Sequence, residues 1–323
     1  MTAGTQPASL AALVDGVVAG DRRVIARALR VVDDLPAEGR RLASLLYPHR
    51  KGARLVGITG NPGAGKSTLV DGLIQALRAR GSKVAVLAVD PSSPFSGGAL
   101  LGDRIRMSRH AGDDGVYVRS LATRGALGGL SRAAFDSTRV LDAAGFDVIL
   151  LETVGVGQDE VDVARLAHTT VVVLVPGLGD DIQAAKAGLL EVADVFVVNK
   201  ADRDGADEVE RALRQMLALA SGAAAWVPPI LRAVATRAEG IAELVNALDE
   251  HRRHATTDAG RERLKLQSQE IFERLLDAAL VDVGRRNLGA RLQVARAELA
   301  DHDLDPYALV QALVDDGAGD DGC

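Results

Sequence analysis

Cysteine and aromatic residues are scarce in this sequence. The one cysteine among 323 residues is Cys323, at the end of the chain, which excludes an intrachain disulfide and a cysteine-based metal cage. A reducing compartment suits such a chain, and we expect it in the cytoplasm. Aromatic residues make up 3% of the sequence and hydrophobic residues 47%, so the core is expected to consist of valine, leucine, isoleucine and alanine.

Targeting and membrane-spanning segments are also missing from the sequence. The first twenty residues contain no Lys or Arg, and their short apolar stretch is broken by Asp15 and Gly16, which fits neither a signal peptide nor a transit peptide. Every apolar run ends well before the roughly 20 residues that a spanning helix needs, so we expect no membrane partner. With a net charge of -6 and no dense Lys/Arg stripe, nucleic acid is not an expected partner either.

The spacing of the apolar residues divides the chain into three parts. Leu, Val and Ile recur at helical spacing over residues 8–33, with a break near Gly20, which predicts two amphipathic helices in an N-terminal helical arm, residues 1–50. Within residues 51–252, Val/Ile/Leu runs alternate with helical segments, which predicts an α/β domain whose mostly parallel sheet is covered by helices on both faces. The expected strands are 55–59, 84–89, 148–151, 171–175, 195–198 and 229–234, and the expected helices are 66–80, 131–144, 181–193 and 240–252.

The remaining residues, 253–323, predict a C-terminal helical arm. Apolar residues recur at helical spacing over 261–283, 288–299 and 306–314, and an acidic, glycine-containing tail follows. The chain therefore reads as one central α/β domain with helical extensions at both ends.

The strongest motif lies directly after the first expected strand and before a helix. Residues 60–67 read Gly-Asn-Pro-Gly-Ala-Gly-Lys-Ser and fit G-x-x-x-x-G-K-[ST], the P-loop of nucleotide triphosphatases. In this motif backbone N–H groups surround phosphate oxygens, the lysine reaches the β and γ phosphates, and the serine hydroxyl ligates magnesium. The predicted nucleotide-binding residues here are Gly60, Asn61, Pro62, Gly63, Ala64, Gly65, Lys66, Ser67 and, at the α phosphate, Thr68.

A second motif, Asn199-Lys200-Ala201-Asp202, follows the strand expected at 195–198. A strand end in this position meets the base of a nucleotide held by the P-loop. An ionised Asp202 accepts both the ring N–H and the exocyclic amino group of guanine, whereas adenine would leave the carboxylate unpaired. Asn199, Lys200 and Asp202 are therefore predicted to bind guanine, and the backbone of Val234, Ala235 and Thr236 to complete the base pocket.

Carboxylates at two other strand ends predict a magnesium site. Glu152 ends an apolar strand and Gly155 follows three residues later, the spacing of a metal ligand and a backbone N–H that contacts the γ phosphate. Asp90 ends the strand 84–89, and Asp103 follows in a loop, where a helix N-cap or a surface partner for Arg106 is an equally good interpretation. Lys66, Asp90 and Glu152 are the predicted catalytic residues.

Four segments together resemble the MeaB/ArgK family of GTPases, the group that contains the human methylmalonic aciduria type A protein. They are the P-loop with its proline, the stretch Val-Asp-Pro-Ser-Ser-Pro at 89–94, the stretch Glu-Thr-Val-Gly-Val-Gly-Gln at 152–158, and the Asn-Lys-Ala-Asp motif. The resemblance covers nearly the whole chain, including both helical arms. One departure is Val-Ala-Thr-Arg at 234–237, where relatives often have Ser-Ala or Ser-Gly.

The resemblance implies a GTP-hydrolysing chaperone of adenosylcobalamin-dependent methylmalonyl-CoA mutase, which gates cofactor loading and protects the mutase. It implies homodimers formed through the terminal helices, with GTP or GDP and Mg²⁺ as ligands. Ser67, Asp90, Asp103 and Glu152 would form or support the magnesium site. The switch and partner residues that it implies are Gly157, Gln158, Asp180, Asp181, Gln183 and Lys186.

Two other functions are compatible with the motifs, namely a metallochaperone GTPase and a kinase that transfers the γ phosphate to a protein or a small molecule. A soft-metal chaperone needs clustered His or Cys, whereas this chain has six scattered histidines and a terminal cysteine. A kinase needs an acceptor pocket and a positioned base, and the sequence identifies neither. Slow intrinsic GTP hydrolysis is expected, because no arginine lies in the P-loop or in residues 152–158 to stabilise the transition state.

Overall fold

The computed structural model describes residues 9–91, 108–110, 112–123, 129–153, 163–177, 192–220, 225–301 and 304–315. The chain divides into two compact units, Met1–Gln267 and Ser268–Cys323. Among the described residues, no helix is both long enough and apolar enough to cross a membrane.

The first unit is built around a seven-stranded parallel sheet. The strands are β1 (Arg54–Thr59), β2 (Val84–Pro91), β3 (Val116–Thr123), β4 (Val148–Thr153), β5 (Thr169–Leu174), β6 (Val195–Asn199) and β7 (Ile230–Ala233). Their order in the sheet is β3-β2-β4-β1-β5-β6-β7, and the central strand β1 pairs with β4 on one side and with β5 on the other. All strands run the same way, so their carboxyl ends lie along one edge, where ligands bind in open α/β sheets.

Helices cover both faces of this sheet. The side chains of a strand alternate between the faces, so Val171 and Val173 join the core under one layer while Val172 and Leu174 join the core under the other. The first core includes apolar residues of α4 (Lys66–Ala79) and α7 (Ile241–His254), and the second includes apolar residues of α6 (Ala206–Ala220).

The N-terminal helices pack on the outside of α5 (Gly129–Ala143). They are α1 (Leu10–Val18), α2 (Arg22–Asp34) and α3 (Pro36–Leu46). The Ser9 and Asp21 side chains cap α1 and α2, and Gly20 between them adopts φ +78°, which confirms the predicted break. Asp142 of α5 accepts the backbone N–H groups of Lys51 and Ala53, each at 2.9 Å, and so fixes the segment that enters β1.

The C-terminal helices are α8 (Asp258–Asp301) and α9 (Pro306–Asp315). The non-helical Gly289, with φ 46°, interrupts α8, close to the break predicted between residues 283 and 288. In the second unit, the side chains of Phe272, Leu276 and Leu280 are exposed. They stand four residues apart and therefore share one face of the helix.

The predicted fold class is confirmed, and the structure adds three elements to it. The apolar pattern of the sequence did not predict α3, β3 or α6. β3 lies at the sheet edge and carries the polar pair Arg119-Ser120, which interrupts its apolar run. The helix expected at 181–193 falls almost entirely outside the described residues, and the domain boundaries at residues 50 and 252 stay predictions.

Candidate functional site

The loop between β1 and α4 carries glycines that no other residue replaces. Gly60 adopts φ +134°, and a Cβ atom there would lie 2.1 Å from the carbonyl oxygen of Val173 in β5. Gly65 adopts φ +87°, and a Cβ atom there would lie 2.4 Å from Nδ2 of Asn199. Only glycine can adopt this backbone conformation in so little space. The fold therefore requires glycine at both positions, in addition to any requirement from a ligand.

Lys66 begins α4, and its side chain is buried over the loop. Its ammonium group donates to the carbonyl oxygen of Gly60 and, at 3.1 Å, to that of Asn61. The N-terminus of a helix carries partial positive charge, to which the ammonium adds a full charge. This loop is therefore strongly suited to phosphate oxygens.

Ser67 and Glu152 bring two oxygen ligands together beside the P-loop. The Ser67 hydroxyl donates to Oε1 of Glu152 over 2.5 Å. Glu152 lies near the end of β4, opposite Ile58 of β1, and its side chain is 1% exposed. The sheet register aligns Val89 with Thr153, so Asp90 of β2 comes to the same edge. Hydroxyl and carboxylate oxygens are ligands that Mg²⁺ prefers.

Asn199 joins three parts of the site. This buried residue ends β6. Its Nδ2 atom donates to the carbonyl oxygen of Ala64 at 2.8 Å, and its Oδ1 atom accepts the backbone N–H of Ala235 at 3.2 Å. Lys200 adopts φ +57°, and its ammonium donates to the carbonyl oxygen of Gly63 at 2.7 Å. Asn199 and Lys200 therefore hold the P-loop against the loop that follows β7.

Asp202 lines a pocket of about 300 Å³ at this edge. Its carboxylate is partly exposed, and Nη1 of Arg237 lies 3.7 Å from its Oδ2 atom. The N–H of Val234 donates to the carbonyl oxygen of Glu239 at 3.1 Å, so the backbone amides of both Val234 and Ala235 already bond within the protein. The other lining residues are Ala201, Arg232, Ala233, Val234 and Glu239.

The predicted residues thus fall into two groups. The structure brings the P-loop, Thr68 at the start of α4, Asp90, Glu152, Asn199–Asp202 and Val234–Thr236 to the carboxyl edge of the sheet. Asp103, Gly155, Gly157, Gln158, Asp180, Asp181, Gln183 and Lys186 lie outside the described residues.

A polar cluster around Asp71 was not predicted from the sequence. This buried carboxylate of α4 accepts from Arg109 and, at 2.7 Å, from Nε2 of His110. Burial and then the Arg109 cation lower the pKa of His110. In its neutral form the imidazole must carry its proton on Nε2, because a carboxylate only accepts.

Comparison with known proteins matches this chain to an established family. The family model described as methylmalonyl-CoA mutase-associated GTPase MeaB matches residues 25–287. The chain belongs to the MeaB family of GTPases. A putative GTPase of Pyrococcus abyssi is 45% identical over 310 residues, which cover 94% of this chain and 95% of the relative. The GTPase ArgK of Escherichia coli is 36% identical over 272 residues, 82% of each chain.

A solved structure supports the fold. The crystal structure of a LAO/AO transport system kinase superposes with a TM-score of 0.70 at 26% identity, and the match covers 96% of this chain and 98% of that one. Membership of the MeaB family confirms the predicted resemblance, the P-loop fold and the prediction that the protein is a GTPase that binds guanine nucleotides.

Proposed function

We propose that this MeaB-family GTPase binds GTP with Mg²⁺ at the carboxyl edge of its sheet and acts as a chaperone of an adenosylcobalamin-dependent methylmalonyl-CoA mutase. The observation that carries the chaperone role is the match of residues 25–287 to a family described as associated with that mutase. The contacts of the P-loop, Glu152 and Asn199 support the nucleotide site.

The P-loop residues bind the phosphates. Lys66 moves its ammonium from the carbonyl oxygens of Gly60 and Asn61 to the β and γ phosphates, where it offsets the charge that develops as the terminal P–O bond breaks. The backbone N–H groups of residues 60–68, apart from Pro62, which has none, orient the triphosphate. Gly155 donates to the γ phosphate, so hydrolysis changes the contacts of the loop that contains Gly157 and Gln158.

Mg²⁺ fits the oxygen donors beside the P-loop. The hydrogen bond from Ser67 to Glu152 shows that a hydroxyl and a carboxylate already meet at this point, and Asp90 comes to the same edge. Ser67, Asp90, Asp103 and Glu152 would hold the ion directly or through water, and Mg²⁺ would neutralise charge between the β and γ phosphates.

The base lies in the pocket that Asp202 lines. Its carboxylate accepts hydrogen bonds from the N1–H and the 2-amino group of guanine. Arg237, which lies beside Asp202, either moves away when the base binds or stays at the rim of the pocket. Asn199 positions this pocket relative to the P-loop rather than contacting the base, because both ends of its amide bond to protein backbone.

A homodimer forms through the C-terminal helices. The stripe Phe272, Leu276, Leu280 and Val283 is exposed and lies on one helix face at i, i+4, i+8 and i+11, the pattern of a helix that packs on another. Sedimentation equilibrium should give a dimer for the natural chain and a monomer for Leu276→Glu with Leu280→Glu. A natural chain that stays monomeric at about 100 μM, far above typical obligate-dimer dissociation constants, would remove the homodimer from the proposal.

The chaperone role is tested by capture from native cytoplasm, where we place the protein. The tagged chain, loaded with a non-hydrolysable GTP analogue, should retain a cobalamin-dependent mutase, and Lys66→Ala under the same conditions should retain much less. The switch residues Asp180, Asp181, Gln183 and Lys186 are proposed to contact that partner. Recovery of a hydrogenase or urease precursor in place of the mutase would overturn this role and support a metallochaperone.

Purified components give an independent test. GTP turnover by the chain alone should be slow, and addition of the mutase should accelerate it, because the partner orders the switch residues. A fast turnover that no partner changes would contradict the proposed switch.

A further inference from the structure

Arg237 and Glu239 lie beside Asp202 in the wall of the pocket at the carboxyl edge of the sheet. Both belong to the turn formed by residues 234–239, which lies between β7 and α7. The side chains of all three residues are exposed. A ligand that enters this pocket can therefore contact each of them.

Backbone hydrogen bonds hold this turn in shape. The N–H of Val234 donates to the carbonyl oxygen of Glu239 at 3.1 Å, and the N–H of Arg237 donates to the carbonyl oxygen of Val234 at 2.8 Å. Ala238, between the two charged residues, adopts φ +56°, a left-handed conformation typical of tight turns. The backbone therefore places Arg237 and Glu239 two residues apart on one closed turn.

The segment that carries Asp202 is connected to the same strand end. The N–H of Ala201 donates to the carbonyl oxygen of Ala233 at 3.1 Å. Ala233 ends β7 and directly precedes the turn. The distance between Asp202 and Arg237 is therefore set by the backbone on both sides.

Arg237 lies between two carboxylates, and its contacts with them are unequal. Its Nε atom lies 2.9 Å from Oε1 of Glu239, and its Nη2 atom donates to Oε2 at 3.3 Å, so the paired edge of the guanidinium faces Glu239. Nη1 is left for Asp202, at 3.7 Å from Oδ2, which is an ion-pair distance but too long for a hydrogen bond. Arg237 therefore leaves both oxygens of Asp202 available to accept from a base.

The other arginine of this pocket is paired elsewhere. Arg232 donates to Asp207 at 2.5 Å and to Glu210 at 2.6 Å, both on α6. Among the described lining residues, Arg237 is thus the cation that can turn toward Asp202. A guanidinium edge donates two parallel N–H groups to a carboxylate, and guanine offers the same carboxylate its N1–H and its 2-amino group. Arg237 and guanine are therefore alternative partners for one acceptor.

We propose that Glu239 and Arg237 are positioning residues of the guanine site, in which Glu239 holds Arg237 away from Asp202. The carboxylate of Asp202 then stays available to the base, and the tightness of nucleotide binding depends on how Arg237 divides between the two acids. This inference rests on the proposed recognition of guanine by Asp202.

Equilibrium titration of the full-length chain with ribose-labelled GDP and saturating Mg²⁺ tests the role of Glu239. Glu239→Gln weakens the contact that holds Arg237, so GDP affinity should fall about threefold, as expected for an exposed ion pair. A general charge effect has the opposite sign, because removal of a negative charge favours an anionic nucleotide. The matched control is Glu243→Gln, an exposed carboxylate of α7 outside the lining, which should have no effect.

A second substitution tests whether Glu239 acts through Arg237. Arg237→Gln removes the alternative partner of Asp202, so adding it to Glu239→Gln should restore the GDP affinity of the natural chain. Arg237→Gln alone should not weaken GDP. Arg203→Gln, exposed, next to Asp202 in sequence and outside the lining, is its control and should not repair Glu239→Gln.

Competition with IDP separates positioning of Asp202 from damage to the fold. Inosine lacks the 2-amino group, so IDP gives Asp202 one donor where GDP gives two. Glu239→Gln should therefore weaken GDP about twofold more than IDP. A distorted P-loop would weaken both nucleotides equally.

The outcomes distinguish this inference from the proposed function. Unchanged GDP affinity in Glu239→Gln, a loss that Arg237→Gln does not repair, or an equal loss for GDP and IDP would overturn the inference, while a natural chain that prefers GDP to ADP would still support the guanine site. Equal affinity of the natural chain for GDP and ADP would overturn the guanine site and, with it, this inference.

Discussion

The side-chain amide of Asn199 donates to the backbone carbonyl oxygen of Ala64 in the P-loop over 2.8 Å. With the N–H of Ala235 bonded to its oxygen, this one buried residue connects the phosphate-binding loop to the loop beside the base pocket. Its position is therefore decisive for both the stability of the site and the geometry of the nucleotide.

Asn199→Ala should lower the stability of the protein and weaken nucleotide binding. The change leaves the carbonyl oxygen of Ala64 and the N–H of Ala235 without these partners, at a cost of about 1–3 kcal/mol in the free energy of unfolding. GTP affinity should fall as well, since the P-loop and base pocket lose their link. Urea unfolding and equilibrium nucleotide binding measure the two effects. The control is Asn246→Ala, a surface residue that only accepts from Arg80; an Asn199 variant as stable as this control would contradict the structural role.

Lys66→Ala should abolish tight GTP binding and leave the fold intact. The ammonium donates to carbonyl oxygens of the P-loop, and a bound phosphate would replace them as its partner. A charge-assisted contact of this kind contributes roughly 1.5–3 kcal/mol, or more when it is desolvated. Fluorescent-nucleotide titration should show a loss of at least about tenfold. Lys265→Ala, an exposed lysine on α8, is the control, and unaltered GTP affinity in Lys66→Ala would refute the phosphate site.

Asp136 makes stability depend on pH. Burial raises the pKa of this α5 carboxyl to about 6, against opposing effects of Arg132, Arg40 and Arg139. Between the pKa of an unfolded aspartate and this value, the folded chain holds more protons than the unfolded chain, so the contribution of Asp136 to stability falls as pH rises from about 4 to 6 and stays low above it. The loss is on the order of 3 kcal/mol.

Asp136→Asn should therefore raise the free energy of unfolding at pH 7 and change it little at pH 4. Asp142→Asn, on the same helix, should lower the free energy of unfolding at pH 7. The Asp142 carboxylate accepts two backbone N–H groups, and an amide oxygen binds them less strongly. Chemical unfolding at both pH values measures the pair. Equal destabilisation by both changes at pH 7 would show that the buried charge of Asp136 does not lower the free energy of unfolding.

The sequence predicts those features that depend on local pattern. The glycines at 60 and 65, Lys66 and the Val/Ile/Leu runs before each motif specify a strand, a phosphate loop and a helix in order, and a parallel sheet then brings Glu152 and Asp202 to one edge. Contacts between distant residues have no such local pattern. The bond from Asn199 to Ala64, the cluster of Asp71 with His110 and the packing of the N-terminal helices on α5 depend on tertiary placement. α6 could have been assigned, since Val209 and Leu213 are spaced for one buried face.

The test that bears most directly on the nucleotide site is base preference after Asp202→Asn. In the natural chain kcat/KM should be far higher for GTP than for ATP or XTP, because the carboxylate pairs with the guanine amino group. Asparagine offers an N–H in place of one oxygen, and xanthine has a carbonyl where guanine has that amino group. We expect kcat/KM for GTP to fall on the order of a hundredfold and that for XTP to rise above it. Equal use of GTP and ATP by the natural chain, or an unchanged preference for GTP in Asp202→Asn, would contradict guanine recognition by Asp202.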